Sequence, residues 1–230
     1  MEDPLAWCEP AALNLADALA ASAKQSGYRF EAWDDVWVAD RELPLALANF
    51  VILVKPLLPD SVEGLTARVR AFFQESGSPW MLWSAWPTPD LAQFGYQLSG
   101  KPPHMVALPG QLNVPPATDL EIRRVTSAPE LEVYERAFLE GYGFPDDIPY
   151  RPGILFGAGT LAGPVEFLAG YVGDRMVSVS AACTGHGVRG IYNVATLADA
   201  RGNGYGSAMT VAAVFKRFTS RSGAALPFYM

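Results

Sequence analysis

Apolar residues recur along the chain with two spacings, one typical of helices and one typical of strands. Spacings of three and four residues predict a helix over 10–24 and a second helix over 60–75. Short apolar runs bounded by turn residues predict strands. These strands cover residues 28–32, 36–39, 49–54, 80–83 and 104–108. The first part of the chain therefore predicts a helix, three strands, a helix and two more strands.

The second part of the chain repeats much of this order. A strand over 120–125 is followed by a helix over 127–139, with the capping pattern of a serine and a glutamate three residues later, and by a glycine- and proline-rich loop. Strands then cover 166–172, 176–183 and 188–197, before a helix over 204–220 and a last strand over 225–229. The shared order predicts an internal duplication. The segment 109–116 has linker composition, so we expect domains at 1–112 and 118–230.

Charge, hydropathy and cysteine content exclude several classes of protein. The net charge of −7 argues against nucleic acid as a partner. The longest apolar stretch holds ten residues, over 45–54, whereas a membrane-spanning helix needs about 20. We therefore expect a cytoplasmic protein that does not enter a membrane. Two distant cysteines and two histidines are too few for a structural zinc site or a disulfide framework, so no metal is expected.

A glycine-rich stretch connects the predicted strand 188–197 to the predicted helix 204–220. A strand that passes through a short loop into a helix leaves the first helical amides unpaired, and with the helix dipole they form an anion site. Gly202, Gly204 and Gly206 let a bulky anion contact the backbone and accept the positive φ angles of a tight loop. This geometry suits a diphosphate. The stretch lacks the Gly-Lys-Ser/Thr of a P-loop and the third glycine of a dinucleotide-binding loop.

The same stretch resembles a known signature. It matches the R/Q-x-x-G-x-G/A pattern of the GCN5-related N-acetyltransferases, and it follows a predicted hairpin and strand, as in that family. The resemblance implies an α/β (α+β) fold with a mixed, mostly antiparallel central sheet flanked by helices. It also implies acetyl-CoA as the co-substrate and transfer of an acetyl group to a primary amine of a small molecule or a protein.

Carried over to this chain, the resemblance implies two sets of coenzyme contacts. The pantetheine arm would lie along the backbone at Val194, Ala195 and Thr196. Arg201 would open the loop, and replacing Gly204 with valine would fill it and abolish binding with the fold largely intact. The amides that would hold the diphosphate belong to Gly202, Asn203, Gly204, Tyr205, Gly206 and Ser207.

Catalytic groups are less well marked. A neutral amine is needed for attack, so a base must take its proton, and the candidates are Glu166 and Glu140; a solvated surface carboxylate is the alternative for each. No residue matches the tyrosine acid of the family, since the sequence stops at 228–230. Either the final elements come from the first half or a partner chain, or the protein is a truncated form. The rival function is a non-catalytic acyl-CoA-binding or regulatory module, and the unfinished sheet edge suggests a homodimer.

The first half lacks a comparable loop. After the predicted strand 49–54 come two prolines and two leucines, and Asp60 and Glu63 would repel a diphosphate. This half resembles the degenerate half of tandem acetyltransferases, and its expected role is to pack against the active half and shape the acceptor cleft. Its tryptophans form either an aromatic wall for a substrate or part of the core. They are Trp33, Trp37, Trp80, Trp83 and Trp86.

Overall fold

The computed structural model describes residues 4–108, 111, 118–144 and 150–215. Its residues form two compact units, the first of Met1–Val106 with Gly185–Val188 and the second of Ala107–Thr184 with Arg189–Met230. The predicted domains at 1–112 and 118–230 stay a prediction. The assignment of each part to an acetyltransferase-like domain stays a prediction.

The observed elements follow the predicted order. The helices are α1 Cys8–Gln25, α2 Val62–Phe73, α3 Ala128–Tyr142 and α4 Tyr205–Phe215. The strands are β1 Arg29–Ala32, β2 Val36–Asp40, β3 Phe50–Leu53, β4 Met81–Trp83, β5 Glu121–Arg124, β6 Val165–Val172, β7 Arg175–Gly185 and β8 Val188–Thr196. None of the described helices is long and apolar enough to cross a membrane.

Two predicted strands need comment. The strand over 104–108 is wrong, because this segment forms no regular structure and its apolar residues Met105 and Val106 are 85% and 45% exposed. An apolar run becomes a strand only where a neighbouring strand and a packing surface accept it. The strand over 225–229 and the last part of the predicted helix 204–220 lie outside the described residues.

The first unit places a helix against each face of its sheet. The strand order is β1-β2-β3-β4, with antiparallel pairing except between β3 and β4, which are parallel. Alternation along β3 sends Val51 and Leu53 into a core with α2, and Phe50 and Ile52 into a core with α1. Strands buried on both faces explain why β3 reads as a continuous apolar run.

Asn49 connects the segments around the starts of β3 and β4 through side-chain hydrogen bonds. Its side chain is fully buried, and its amide nitrogen donates to the carbonyls of Leu43 and Pro79, both at 2.7 Å. Its side-chain oxygen accepts from the Arg41 amide at 3.0 Å. These hydrogen bonds favour one register of β3, because a shift of the strand by one residue would leave the Asn49 amide without its partners.

The tryptophans of the first unit pack against its two cores. Trp33, Trp80 and Trp86 border the core that contains α2. Trp37 and Trp83 border the core that contains α1. These contacts favour the packing interpretation over a substrate wall.

The second unit contains one four-stranded sheet in the order β5-β6-β7-β8. β6 pairs antiparallel with β5 and β7, and a two-residue turn with left-handed φ angles joins β7 to β8. Phe167 of β6 packs on Tyr134 of α3, whereas Gly170 of β6 leaves room for Met209 of α4. Since strand residues alternate between faces, α3 and α4 cover opposite faces of the sheet.

Candidate functional site

Two of the three glycines between β8 and α4 have the positive φ angles that the sequence suggested, whereas Gly206 lies inside α4 without one. After β8 a short 3₁₀ turn covers Ala198–Ala200, and the chain then passes through Gly202 with φ of 83° and Gly204 with φ of 77°. Side chains rarely adopt these angles. A Cβ atom at Gly202 would meet nothing within 4 Å, so the space beside this residue is open.

The amides of this loop are available to a ligand. The first hydrogen bond of α4 runs from the amide of Ala208 to the carbonyl of Gly204 at 3.0 Å. Within the described part of the chain, no protein group accepts a hydrogen bond from the amides of residues 202–207. Together with the positive end of the helix dipole, these N–H groups form a site that favours an anion.

Two side chains of the loop hold its shape. The Arg201 guanidinium donates to the carbonyl of Thr196 at 3.2 Å and to that of Gly141 in α3 at 2.8 Å. The Asn203 amide donates to the carbonyl of Ala200 at 3.0 Å. Arg201 and Asn203 thus serve the loop by fixing its backbone.

Tyr205 anchors the start of α4. Its side chain is buried, and its hydroxyl donates to the carboxylate of Asp119 at 2.7 Å. This hydrogen bond to Asp119 raises the pKa of Tyr205, with burial adding to the rise. The hydrogen bond between Tyr205 and Asp119 therefore fixes the start of α4.

The end of β8 is held from two sides. Ser178 of β7 donates to the carbonyl of Ala195 at 2.8 Å and shares a hydrogen bond with the Thr196 hydroxyl at 2.9 Å. On the other side, a Cβ atom on Gly141 would lie 2.9 Å from the Cβ of Ala195 and 3.3 Å from the amide nitrogen of Thr196. Helix α3 therefore contacts β8 at backbone distance, where only glycine fits. Val194, the remaining predicted pantetheine contact, is half-buried.

Gly141→Ala should destabilise the second unit by about 1–3 kcal/mol, because the added methyl group overpacks the contact with β8. Gly64→Ala is the matched control. Gly64 also lies in a helix, but its Cβ would meet nothing within 4 Å, so alanine should stabilise the protein by about 0.5–1 kcal/mol. Urea unfolding of both variants measures the difference; equal effects would contradict the close contact.

Asn193 interrupts the regular geometry of β8. Its φ of 56° is left-handed, an angle that few residues other than glycine adopt within a strand. Across from it lies Tyr134 of α3, whose side chain is fully buried between Phe156 and Phe167. Burial raises the pKa of Tyr134, and the nearby Asn193 side chain offsets part of that rise. No described residue accepts a hydrogen bond from the Tyr134 hydroxyl.

Glu135 organises the segment that follows α3. Its side chain is fully buried, and its carboxylate accepts hydrogen bonds from the amides of Gly153 at 2.8 Å, Leu155 at 2.6 Å and Phe156 at 2.9 Å. Sequence reasoning missed Glu135 and Tyr134. A signal was present for Glu135, because it stands on the apolar face of α3, four residues after Leu131.

The candidate base Glu166 lies far from the loop. Glu166 pairs with Ala182 of β7. The end of β8 lies beside a different residue of β7, because the Leu197 amide donates to the carbonyl of Val177. Five residues along a strand correspond to about 17 Å. The Glu166 carboxylate also pairs with the guanidinium of Arg189 at 3.0 Å. Its role as a base stays a prediction.

The candidate base Glu140 lies in the last turn of α3, directly before Gly141, and is exposed. This places it on the helix that contacts the end of β8, although its exposure equally fits a solvated carboxylate. The structure does not bring Glu140 and Glu166 together. Among the residues described, no group of three or more His, Cys, Asp or Glu side chains could hold a metal ion.

Comparison with known proteins identifies the fold. No protein-family model matches the sequence, and no curated protein matches it. Among solved structures, a GCN5-related N-acetyltransferase from Kribbella flavida is similar over 86% of this chain and 79% of that chain, with a TM-score of 0.56 and 19% identity. The chain has the GCN5-related N-acetyltransferase fold. This result confirms the predicted fold class, and the match extends into both units because neither unit alone makes up 86% of the chain.

Proposed function

We propose that the protein is an N-acetyltransferase that transfers an acetyl group from acetyl-CoA to a primary amine of a small molecule or a protein. The observation that carries this proposal is the row of amides at residues 202–207, at the start of α4 in a chain with this fold. None of these amides donates to a protein group among the described residues. N–H groups at the start of a helix, with open space beside Gly202, have the chemistry to hold a diphosphate. The structural neighbour is named for N-acetyl transfer, which supports the same class of reaction.

The residues of the second unit fit acetyl-CoA. The amides of the loop would hold the diphosphate, and the backbone of Val194, Ala195 and Thr196 would border the pantetheine arm. Because Ser178 occupies the carbonyl of Ala195, the strand end has a fixed shape before a ligand arrives. When bound, acetyl-CoA supplies an activated thioester. The chain contributes by holding the amine and the thioester together, which removes much of the entropic barrier.

The acceptor amine must also be deprotonated for the proposed reaction. The amine must lose a proton to react, and Glu140 and Glu166 are the candidates to accept it. Glu140 has no ion pair among the described residues, whereas the Glu166 carboxylate already pairs with Arg189. A water between Glu140 and the amine would serve equally well.

We also propose that the first unit is a second half of the same type without a coenzyme loop. In support, both units contain a helix, an antiparallel meander of three strands and a further helix, in that order. The segment between β3 and α2 contains no glycine and begins its helical part with a 3₁₀ turn at Pro59–Ser61. Homodimer formation through an unfinished C-terminal sheet edge stays a prediction.

Calorimetry with acetyl-CoA, followed by thiol release with a panel of amines, tests the proposal. We expect binding with a Kd of about 1 μM to 1 mM, the usual range for substrates. Thiol release should rise when a suitable amine is added. Binding without amine-dependent release would favour a non-catalytic acyl-CoA-binding module. Absence of both would contradict the proposed function.

A further inference from the structure

The buried hydroxyl of Tyr134 is an unusual feature of the second unit. The side chain is 0% exposed, yet no residue that the structure describes accepts a hydrogen bond from its O–H group. Buried polar groups are nearly always hydrogen-bonded, and an unpaired one costs about 1–3 kcal/mol of stability. Phenylalanine would fill the same volume without this cost. Among the described residues, the hydroxyl is therefore a donor without an acceptor.

A second and independent irregularity lies at the same place. Asn193 adopts a left-handed φ of 56° within β8, a strained conformation of the kind that clusters at binding and catalytic sites. Its side chain lies beside the Tyr134 phenol, and Asn193 and Val194 are only half-buried. A buried donor, the Tyr134 hydroxyl, therefore lies beside two residues of β8 that a ligand could contact from solvent.

The order of residues along β8 indicates which part of a ligand would reach this position. In the proposed function, on which this inference rests, the diphosphate lies at residues 202–207 and the pantetheine arm follows the strand from Thr196 back to Val194. The next residue along that path is Asn193. The end of the coenzyme that carries the acyl group would therefore reach the position where the Tyr134 O–H has no acceptor among the described residues.

We propose that the Tyr134 hydroxyl donates a hydrogen bond to the acyl carbonyl oxygen of bound acetyl-CoA. Asn193 is the positioning residue that bends β8 and keeps its carboxamide beside the phenol. The neutral phenol suits this role, because burial strongly disfavours its ionised form and the proton stays on Tyr134 throughout. A donor aimed at the carbonyl oxygen becomes more effective as negative charge develops there during amine attack.

Tyr134→Phe tests the inference with two binding measurements. Calorimetry should be done with acetyl-CoA and with free CoA, which lacks the acyl carbonyl. The wild-type protein is expected to bind acetyl-CoA about fivefold more tightly than CoA, the equivalent of one neutral hydrogen bond, and Tyr134→Phe should reduce this preference to about onefold. Amine-dependent kcat should fall by about 100-fold, as for loss of one donor to a developing oxyanion.

Tyr171→Phe is the matched control. The Tyr171 hydroxyl donates to Glu130 at 3.0 Å, so it is already paired. Tyr134→Phe should raise the unfolding midpoint, whereas Tyr171→Phe should lower it and leave the preference for acetyl-CoA unchanged. Asn193→Gly, which tolerates the left-handed φ without a carboxamide, should keep the protein folded and weaken the preference.

The outcomes separate this inference from the proposed function. Wild-type protein that binds neither acetyl-CoA nor CoA overturns both. Wild-type turnover with an unchanged acyl preference and kcat in Tyr134→Phe overturns only the role of Tyr134. A loss of preference in Tyr134→Phe, with CoA binding intact, supports it.

Discussion

Ser207→Asp is expected to raise the Kd for acetyl-CoA by at least about 100-fold while leaving the second unit folded. Ser207 is exposed in the first turn of α4, where its amide has no protein partner among the described residues. A carboxylate about 4 Å from a phosphate near a protein surface costs about 4 kcal/mol, less whatever solvent screens. The same carboxylate at a helix N-terminus stabilises the helix by about 0.3–1 kcal/mol. Binding and stability should therefore change in opposite directions, a combination that misfolding cannot produce.

Ser207→Asn supplies the control for Ser207→Asp. Asparagine has nearly the same shape as aspartate but no charge, so its Kd should stay within about threefold of the wild-type value, since surface changes of this kind shift free energies by about 0.5 kcal/mol. Calorimetry gives Kd, and circular dichroism on heating gives stability. If Ser207→Asp binds acetyl-CoA as tightly as Ser207→Asn, the diphosphate does not lie at these amides.

The structure also explains why Ser207 is a better test than Gly204. The sequence suggested that Gly204→Val would fill the cradle and leave the fold largely intact. Gly204 has a φ of 77°, which is strained for any side chain and most of all for a β-branched one. Valine would therefore distort the loop as well as fill it, and lost binding would not distinguish the two effects.

Local patterns predicted most of the fold because burial here follows the period of each element. The continuous apolar run of β3 is buried on both faces, and the face of α3 that carries Leu131 and Phe138 packs inward. The segment 104–108 shows the limit of such patterns. Its apolar residues resemble those of a strand, but no neighbouring strand pairs with them among the described residues, so hydropathy alone is misleading there.

The candidate site likewise has a part that the sequence predicted and a part that it did not. Glycine spacing predicted the loop, since positive φ angles and free amides are local properties of a strand, a turn and a helix. The contacts that shape the site are long-range and could not be predicted. Arg201 reaches the carbonyl of Gly141, which is 60 positions earlier in the chain. Tyr134 meets Asn193 only because α3 lies across β8, and its sequence neighbours give no sign of an unpaired hydroxyl.

Glu135→Ala is expected to lower the free energy of unfolding by about 3–5 kcal/mol, as for other buried polar groups that lose a charged partner. The substitution removes the charged acceptor of three amides, those of Gly153, Leu155 and Phe156, in a largely buried setting. It also releases the segment that presses Phe156 against Tyr134. Urea unfolding measures the change.

Two further variants on α3 make the result for Glu135 specific. Glu132→Ala removes an exposed carboxylate from the same helix and should alter stability by no more than about 0.5 kcal/mol. Glu135→Gln keeps one acceptor oxygen but turns an amide donor toward the loop, so its loss should lie between the other two. If Glu135→Ala costs no more than Glu132→Ala, the three hydrogen bonds do not hold the segment after α3. The Phe156 ring packs against the Tyr134 phenol and belongs to the segment that Glu135 holds. Glu135→Gln should therefore also change the preference for acetyl-CoA over free CoA.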